Sequence, residues 1–268
     1  MNTKTKYGND NLHESVKIQA RVIFALLMRE IITRYGRHNI GFLWLFAEPM
    51  IFTLAITAAW TATKGVHGSD LPIVGFAVTG YSTVLLWRNV ANRCSKAVEG
   101  NAALLFHRNV KVIDLMFSRI ILELAGATIS FVVISIAFIA LGIMQIPDNI
   151  FLMLCAWLLT AWFATGLGLI VGVISEVSEL FDRLWHAFTY ILFGLSGVGF
   201  LVDWLPPAMQ KFVLYIPMVH GTEMLRHGYY GDVIKTYEDP IFLIVVNIFF
   251  TFFGLLAVYK FSKTVTPE

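Results

Sequence analysis

Six long apolar stretches, separated by short polar loops, constrain this chain more than any other feature. They run about 40–63, 71–92, 116–144, 150–174, 184–202 and 241–260. Each is near or above the roughly 18–20 residues a helix needs to cross the hydrocarbon core. Lipid offers no hydrogen bonds to exposed backbone, so spans outside a barrel must be helical. The expected fold is all-α: six transmembrane helices forming one domain over 1–268. Composition agrees, with 57% hydrophobic and only 14% charged residues and a mean hydropathy of +0.70, against roughly 25% charged in soluble domains.

Lysine and arginine placement predicts the orientation. Sixteen of the 20 fall before the first stretch, between the second and third or at their facing ends, after the fourth, or at and beyond the end of the sixth. Only Lys64, Lys211, Arg226 and Lys235 fall in the other segments. Short loops rich in Lys and Arg stay inside, so both termini are expected in the cytoplasm. Residues 1–14 are polar, with no cleavage site behind the first apolar run, so no signal peptide is expected. Cys94 and Cys155 are too few and too far apart for a disulfide framework or a metal motif.

Residues 11–36 read as an amphipathic helix. Asn11 and Glu14 suit a capping box, and Val16, Ala20, Ile23, Leu27 and Ile31 recur at helical spacing beside Lys17, Arg21 and Arg29. Such a helix lies in the membrane interface, with its apolar face in lipid and its basic face toward anionic headgroups. The first span carries Glu48 and Pro49. A carboxylate inside a span costs about 2.5–3.5 kcal/mol and calls for a partner, so Glu48 is a gating or structural candidate; Pro49 leaves a carbonyl unpaired one turn back. Glu123 is a second internal carboxylate.

The loop 88–115 is the largest on the inside. Leu104, Leu105 and Phe106 form an apolar knob flanked by His107, Arg108 and Lys111. Exposed apolar clusters mark contact sites, so these six residues are candidates for binding a cytoplasmic partner. The shorter loop 175–183 is acidic, and the Gly166, Gly168 and Gly172 pattern before it suits close helix packing within the chain. Outside, 203–240 is too apolar for free solvent and too short to span. It is expected to form a re-entrant hairpin broken at Pro217, with His220, Glu223 and Arg226 as gating or structural residues.

No catalytic site is predicted. The chain has no Gly-x4-Gly-Lys-Ser/Thr phosphate loop. His220 and Glu223 lack the second histidine of a zinc protease helix. Gly194-Leu-Ser-Gly197 echoes six-span intramembrane serine proteases, yet the last stretch holds no histidine to take the serine proton.

Three segments carry a family resemblance. Met28-Arg-Glu-Ile-Ile-Thr-Arg-Tyr-Gly-Arg-His-Asn-Ile-Gly-Phe-Leu-Trp44, followed by Glu48-Pro49, resembles the start of the first span in ABC transporter type-2 permeases. His107-Arg-Asn-Val-Lys-Val-Ile-Asp114 is similar to the coupling region of the capsule polysaccharide export permeases of Gram-negative bacteria. Pro217-Met-Val-His-Gly-Thr-Glu-Met-Leu-Arg226, with Gly228-Tyr-Tyr-Gly231, is similar to their periplasmic segment before the last span. Val112 departs from the pattern, a proline being common there in the wider family.

The resemblance implies an inner-membrane homodimer with a separate cytoplasmic ATPase dimer beneath. ATP is used by that partner, and no cofactor is expected in this chain. The cargo implied is a lipid-linked acidic polysaccharide, passed on to periplasmic and outer-membrane export proteins. Membrane lipids complete the expected surroundings; no nucleic acid is involved. A basic mouth attracts an anionic polymer, which makes Arg34, Arg37 and His38 the candidates for substrate access. A type-2 permease for O-antigen, teichoic acid or a drug remains the alternative, and a secondary transporter is a weaker one, since no internal repeat is evident.

Overall fold

The computed structural model describes residues 10–35, 39–63, 71–106 and 110–265, with the side chains of 10–13, 34–46 and 63 left out. Among the described residues every regular element is helical. The α-helices are α1 (Asp10–Tyr35), α2 (Asn39–Thr63), α3 (Ile73–Cys94), α4 (Val112–Ala140), α5 (Ile150–Val177), α6 (Glu179–Leu195), α7 (Pro207–Val213), α8 (Pro217–Tyr230) and α9 (Pro240–Val265). A 3-10 segment, Glu99–Phe106, lies between α3 and α4.

Side-chain pairs fix the direction of each long helix. Glu48 near the start of α2 meets Arg93 at the end of α3, and Trp60 near the end of α2 meets Phe76 near the start of α3. Asp182 near the start of α6 meets Ser95 just past the end of α3. Asn149 and Met153, at the start of α5, lie against Gly228 late in α8. Thus α2, α4 and α6 run one way and α3, α5 and α9 the other, with α1 at one end and α7 and α8 at the other.

α3 is the central helix, with sixteen of its 22 residues buried. Its interior hydroxyls are satisfied along their own helix: Thr79 donates to the Gly75 carbonyl and Thr83 to the Gly80 carbonyl, each at 2.7 Å. A buried hydroxyl paired in this way avoids its desolvation penalty. α5 packs on α3 and α9. A Cβ at Gly166 would sit 2.8 Å from the Phe250 Cβ, so glycine sets that crossing distance.

α4, α5 and α9 are long and apolar enough to cross a membrane. The surface explains why this bundle does not suit water. Ile136, Leu158, Ile191, Ile248 and Phe252 all point outward, each more than half exposed. Apolar surface on this scale belongs against lipid or another apolar partner.

Two sequence boundaries are corrected. The third apolar stretch, expected over 116–144, forms a helix over Val112–Ala140, because the Asp114 carboxylate accepts the Lys111 N–H at 2.8 Å and starts the helix earlier. The fifth, expected over 184–202, forms a helix over Glu179–Leu195. Ser178 caps it by accepting from the Phe181 N–H at 3.2 Å, and Gly197, at φ +79°, turns the chain away. Hydropathy missed the first turn because Glu179 and Asp182 occupy it, where carboxylates favour a helix N-terminus. At 17 residues α6 spans about 25 Å.

Candidate functional site

The α1 end of the bundle gathers the charged residues. α1 buries Leu26, with Val22 packed on the core, so its protein-facing side is supplied partly by residues other than the expected stripe. Val16 stays exposed, as do Phe24, Met28 and Ile32, beside Lys17 and Arg21. Polar ties run from α1 to the segments around it. The Gln19 amide donates to Asp114, Glu30 lies 3.4 Å from Arg119, and Arg29 donates to the Asn101 side chain at 2.6 Å. Of the candidates for substrate access, Arg34 lies in α1 with its side chain outside the described residues, and Arg37 and His38 lie outside them altogether.

Glu48 shares Arg93 with Glu123. The guanidinium lies 3.9 Å from Glu48 and 3.6 Å from Glu123, bridging α2, α3 and α4. Pro49 is buried beside it, and the Thr53 hydroxyl donates to its carbonyl at 2.9 Å. A pocket of about 100 Å³ between α2 and α3 is lined by Glu48, Pro49, Tyr81 and Arg88. The sequence shows Arg93 only as one of several loop cations, and nothing in it marks that residue as the shared partner.

The apolar knob needs correction. Leu105 is buried in the main core, Leu104 is partly buried against it, and only Phe106 projects, at 81% exposed. A 3-10 turn has three residues, so three consecutive side chains point about 120° apart and cannot share a face. Lys111 is exposed nearby, while His107 and Arg108 lie outside the described residues. Sequence reasoning also missed two acidic residues that hold this region: Glu176 accepts from the Val98 and Glu99 N–H groups, and Asp182 accepts from Ser95.

At the opposite end lie α7 and α8, with Pro217 at the first turn of α8 where its missing N–H costs nothing. Three of its residues form a buried polar knot. His220 accepts the Asp239 N–H at Nδ1 (2.9 Å), which leaves Nε2 to donate to the Leu214 carbonyl (2.8 Å). That neutral tautomer agrees with burial, which lowers the imidazole below its ordinary value. Glu223 is fully buried and accepts from the Val202 and Tyr237 N–H groups, both at 3.3 Å. Burial pushes its carboxyl up to about 7, against the opposing pull of the Arg226 charge.

Arg226 is also fully buried. It donates to the Gly197 carbonyl at 2.6 Å and to those of Phe200 and Val198 at 2.7 Å, and its Cζ lies 3.6 Å from the Phe76 ring centroid. These three carbonyls lie in the turn that follows α6, so Arg226 holds that turn in place beyond the helix end. Gly80 leaves room for it: a Cβ there would lie 2.5 Å from the Arg226 Nη2. Beside the knot opens a cleft of about 680 Å³, lined in part by Asp148, Asp203, Trp204, Tyr230 and Lys235. Trp204 stacks on Phe76, with centroids 5.3 Å apart.

An apolar outer surface closed at both ends by polar networks defines a helical membrane protein. A sequence pattern described as ABC-2 type transporter matches residues 21–230. The chain belongs to that family. It is 50% identical over 255 residues to the capsule polysaccharide export inner-membrane protein CtrC of Neisseria meningitidis serogroup B, covering 95% of this chain and 96% of that protein. It is 44% identical over 264 residues to the capsule polysaccharide export inner-membrane protein BexB of Haemophilus influenzae, covering 98% of this chain and all of that one. The polysialic acid transport protein KpsM of Escherichia coli is 25% identical over 245 residues.

Proposed function

We propose that this chain is the transmembrane permease subunit of an ABC exporter that moves a lipid-linked capsular polysaccharide across the inner membrane. The carrying observation is the near full-length likeness to CtrC, 50% identical over 95% of this chain. Six spans, α2 to α6 and α9, place both termini in the cytoplasm, as the Lys and Arg distribution favours. α1 lies in the inner interface, with Phe24, Met28 and Ile32 toward lipid, and α7–α8 is re-entrant from the periplasmic side.

Two copies form the pore, and a separate ATPase dimer beneath supplies the work. The projecting Phe106, with His107, Arg108 and Lys111 beside it, receives that ATPase, while Leu104 and Leu105 anchor the segment to the core. Arg34, Arg37 and His38 meet the anionic polymer, and periplasmic and outer-membrane proteins carry it onward. Deleting the gene is expected to abolish surface polysaccharide while lipid-linked polymer accumulates inside the cell. Unchanged surface polysaccharide in the deletion strain refutes the assignment.

A further inference from the structure

The segment that joins α4 to α5 is a wall between two spaces of opposite character. Met144, Pro147 and Ile150 line an apolar cavity of about 300 Å³ between the two helices. Gln145, Ile146 and Asp148, interleaved with them, line the cleft of about 680 Å³ beside the Arg226 knot. Tyr229 belongs to both, and its hydroxyl accepts from the Gln145 N–H at 3.2 Å. The Asn149 N–H donates to the Gly228 carbonyl at 2.8 Å and so pins the segment to α8.

The cavity has a floor and a mouth. Trp157 of α5 stacks on Phe131 of α4, with centroids 4.6 Å apart, and its indole donates to the Thr128 hydroxyl at 2.9 Å. Phe131 lies nine residues before the end of α4 and Trp157 seven after the start of α5, which puts the floor roughly 10–14 Å below the helix ends at 1.5 Å per residue. The hydrocarbon of one leaflet is about 15 Å deep, so the two depths match. The mouth lies on the outer surface, where Ile136, Ile150 and Leu154 are each more than half exposed. Leu141, Ile146 and Phe151, around the joining segment, are exposed as well. Apolar surface therefore continues to the helix ends, and lipid reaches that level.

Water does not suit this space. A buried water needs about 2–4 polar partners. Thr79 and Thr128 commit their hydroxyls to carbonyls of their own helices, and in the lining only the Ser135 hydroxyl is buried without a partner among the described residues. An apolar cavity of about 150 Å³ stays dry and takes up benzene, so twice that volume holds roughly twelve chain carbons. Across the wall, the cleft carries two carboxylates and one ammonium. Asp203 accepts from the Tyr237 hydroxyl at 3.1 Å and lies 3.6 Å from Lys235. Asp148, exposed in the same cleft, has no side-chain partner among the described residues. The cleft is short of one positive charge and attracts a cation.

We propose that the α4–α5 cavity holds an acyl chain of a bilayer phospholipid, whose ammonium-bearing headgroup crosses the wall to meet Asp148 in the cleft. A phospholipid joins an apolar chain to a charged head, and the 144–150 wall separates a place for each. The site depends on α4 and α5 crossing the membrane and is independent of the cargo.

Native mass spectrometry of the full chain, purified in detergent and stripped of lipid, counts bound lipid as phosphatidylethanolamine or phosphatidylglycerol is added back. The parent is expected to hold one phosphatidylethanolamine per chain and to prefer it to the anionic lipid. Ser135→Phe fills the cavity without breaking a hydrogen bond. Excluding two methylenes already lowers affinity about tenfold, so a loss of at least that size is expected. Leu154→Trp narrows the mouth from its exposed rim and replaces that variant if it does not reach the membrane. Ile248→Phe, on the exposed face of α9, should bind as the parent does. Asp148→Asn should cut the headgroup preference about threefold, the size of an exposed charge pair. Unchanged retention in Ser135→Phe or Leu154→Trp overturns the proposal. So does an equal loss in Ile248→Phe, which marks general adhesion, or equal binding of the two lipids by the parent, or an unchanged preference in Asp148→Asn. A parent that takes up neither lipid also overturns it, and a change of oligomeric state in Ser135→Phe then places a second copy of the chain in the cavity. Neither lipid carries sugar, so a wrong assignment of cargo leaves this result standing.

Discussion

Arg226→Met removes the guanidinium from the buried knot while keeping an unbranched side chain. Three carbonyls, at Gly197, Val198 and Phe200, lose donors placed at 2.6–2.7 Å, and Phe76 loses the cation at 3.6 Å from its ring. Hydrogen bonds from a charged donor contribute about 1.5–3 kcal/mol each, so three sum to about 5–9 kcal/mol. That sum overstates the effect, because burying the guanidinium carried its own desolvation cost, which the variant escapes. Breaking a buried charged partnership costs about 3–5 kcal/mol in practice. At roughly 2 °C per kcal/mol for a chain of this length, the unfolding midpoint is expected to fall by about 6–10 °C. Cys94 is fully buried, so in a Cys155→Ser background a thiol-reactive dye reports its exposure on heating. Arg226→Lys, with a single ammonium for three carbonyls, should fall between. A midpoint for Arg226→Met within about 2 °C of the parent refutes the view that this residue holds α8 to the turn after α6.

Phe106→Asp removes the one projecting member of the 104–106 trio and should weaken ATPase capture by about 30-fold, the equivalent of about 2 kcal/mol at an anchor residue. Leu105→Asp should instead lower the unfolding midpoint, since it buries a charge in the core; equal behaviour of the two variants in a pull-down and a melt refutes the distinction. Replacing Arg34 and Arg37 together by Gln should reduce export in a graded way without changing assembly, because a basic mouth acts through local concentration; full export at equal protein level refutes their role. The pH response has two opposing parts. Glu223 is held up at about 7, so between pH 7 and its ordinary 4.5 the folded chain takes up a proton the unfolded chain does not, and acid stabilises. His220 is lowered by burial, so below its ordinary 6.5 the unfolded chain binds the proton first, and acid destabilises. Glu223→Gln removes the first effect alone, so its midpoint should fall more steeply than the parent's from pH 7 to 5; parallel curves refute the assignment.

How far the sequence speaks depends on who the partner is. α4, α5 and α9 are legible because their apolar runs are long and uninterrupted. α7 and α8 are legible in outline because Pro206, Pro207 and Pro217 punctuate an apolar run, and each helix begins on one of them. α6 is displaced in a hydropathy reading because its first turn is acidic. The partners of Arg226 and Glu176 escape detection for one reason: they are backbone carbonyls and N–H groups, which every residue supplies and no side-chain pattern announces. Arg93 escapes for another, since which of several basic loop residues meets Glu48 is decided by how α2, α3 and α4 cross. Leu105 and Phe106 look alike in sequence, and only the turn geometry sends one inward and the other out.

The Arg226 knot also carries a consequence for how the protein is made. Every group that satisfies this guanidinium, from Phe76 to the carbonyls at 197–200, lies earlier in the chain. The residue therefore leaves the ribosome with its whole binding site already synthesised, and it need not wait in lipid as a bare charge. Glu223 is in the opposite position, because the Tyr237 N–H comes fourteen residues later. During synthesis α8 can dock on its arginine first and fasten on its glutamate only as the segment leading into α9 arrives, which makes the last helix the step that seals this end of the bundle.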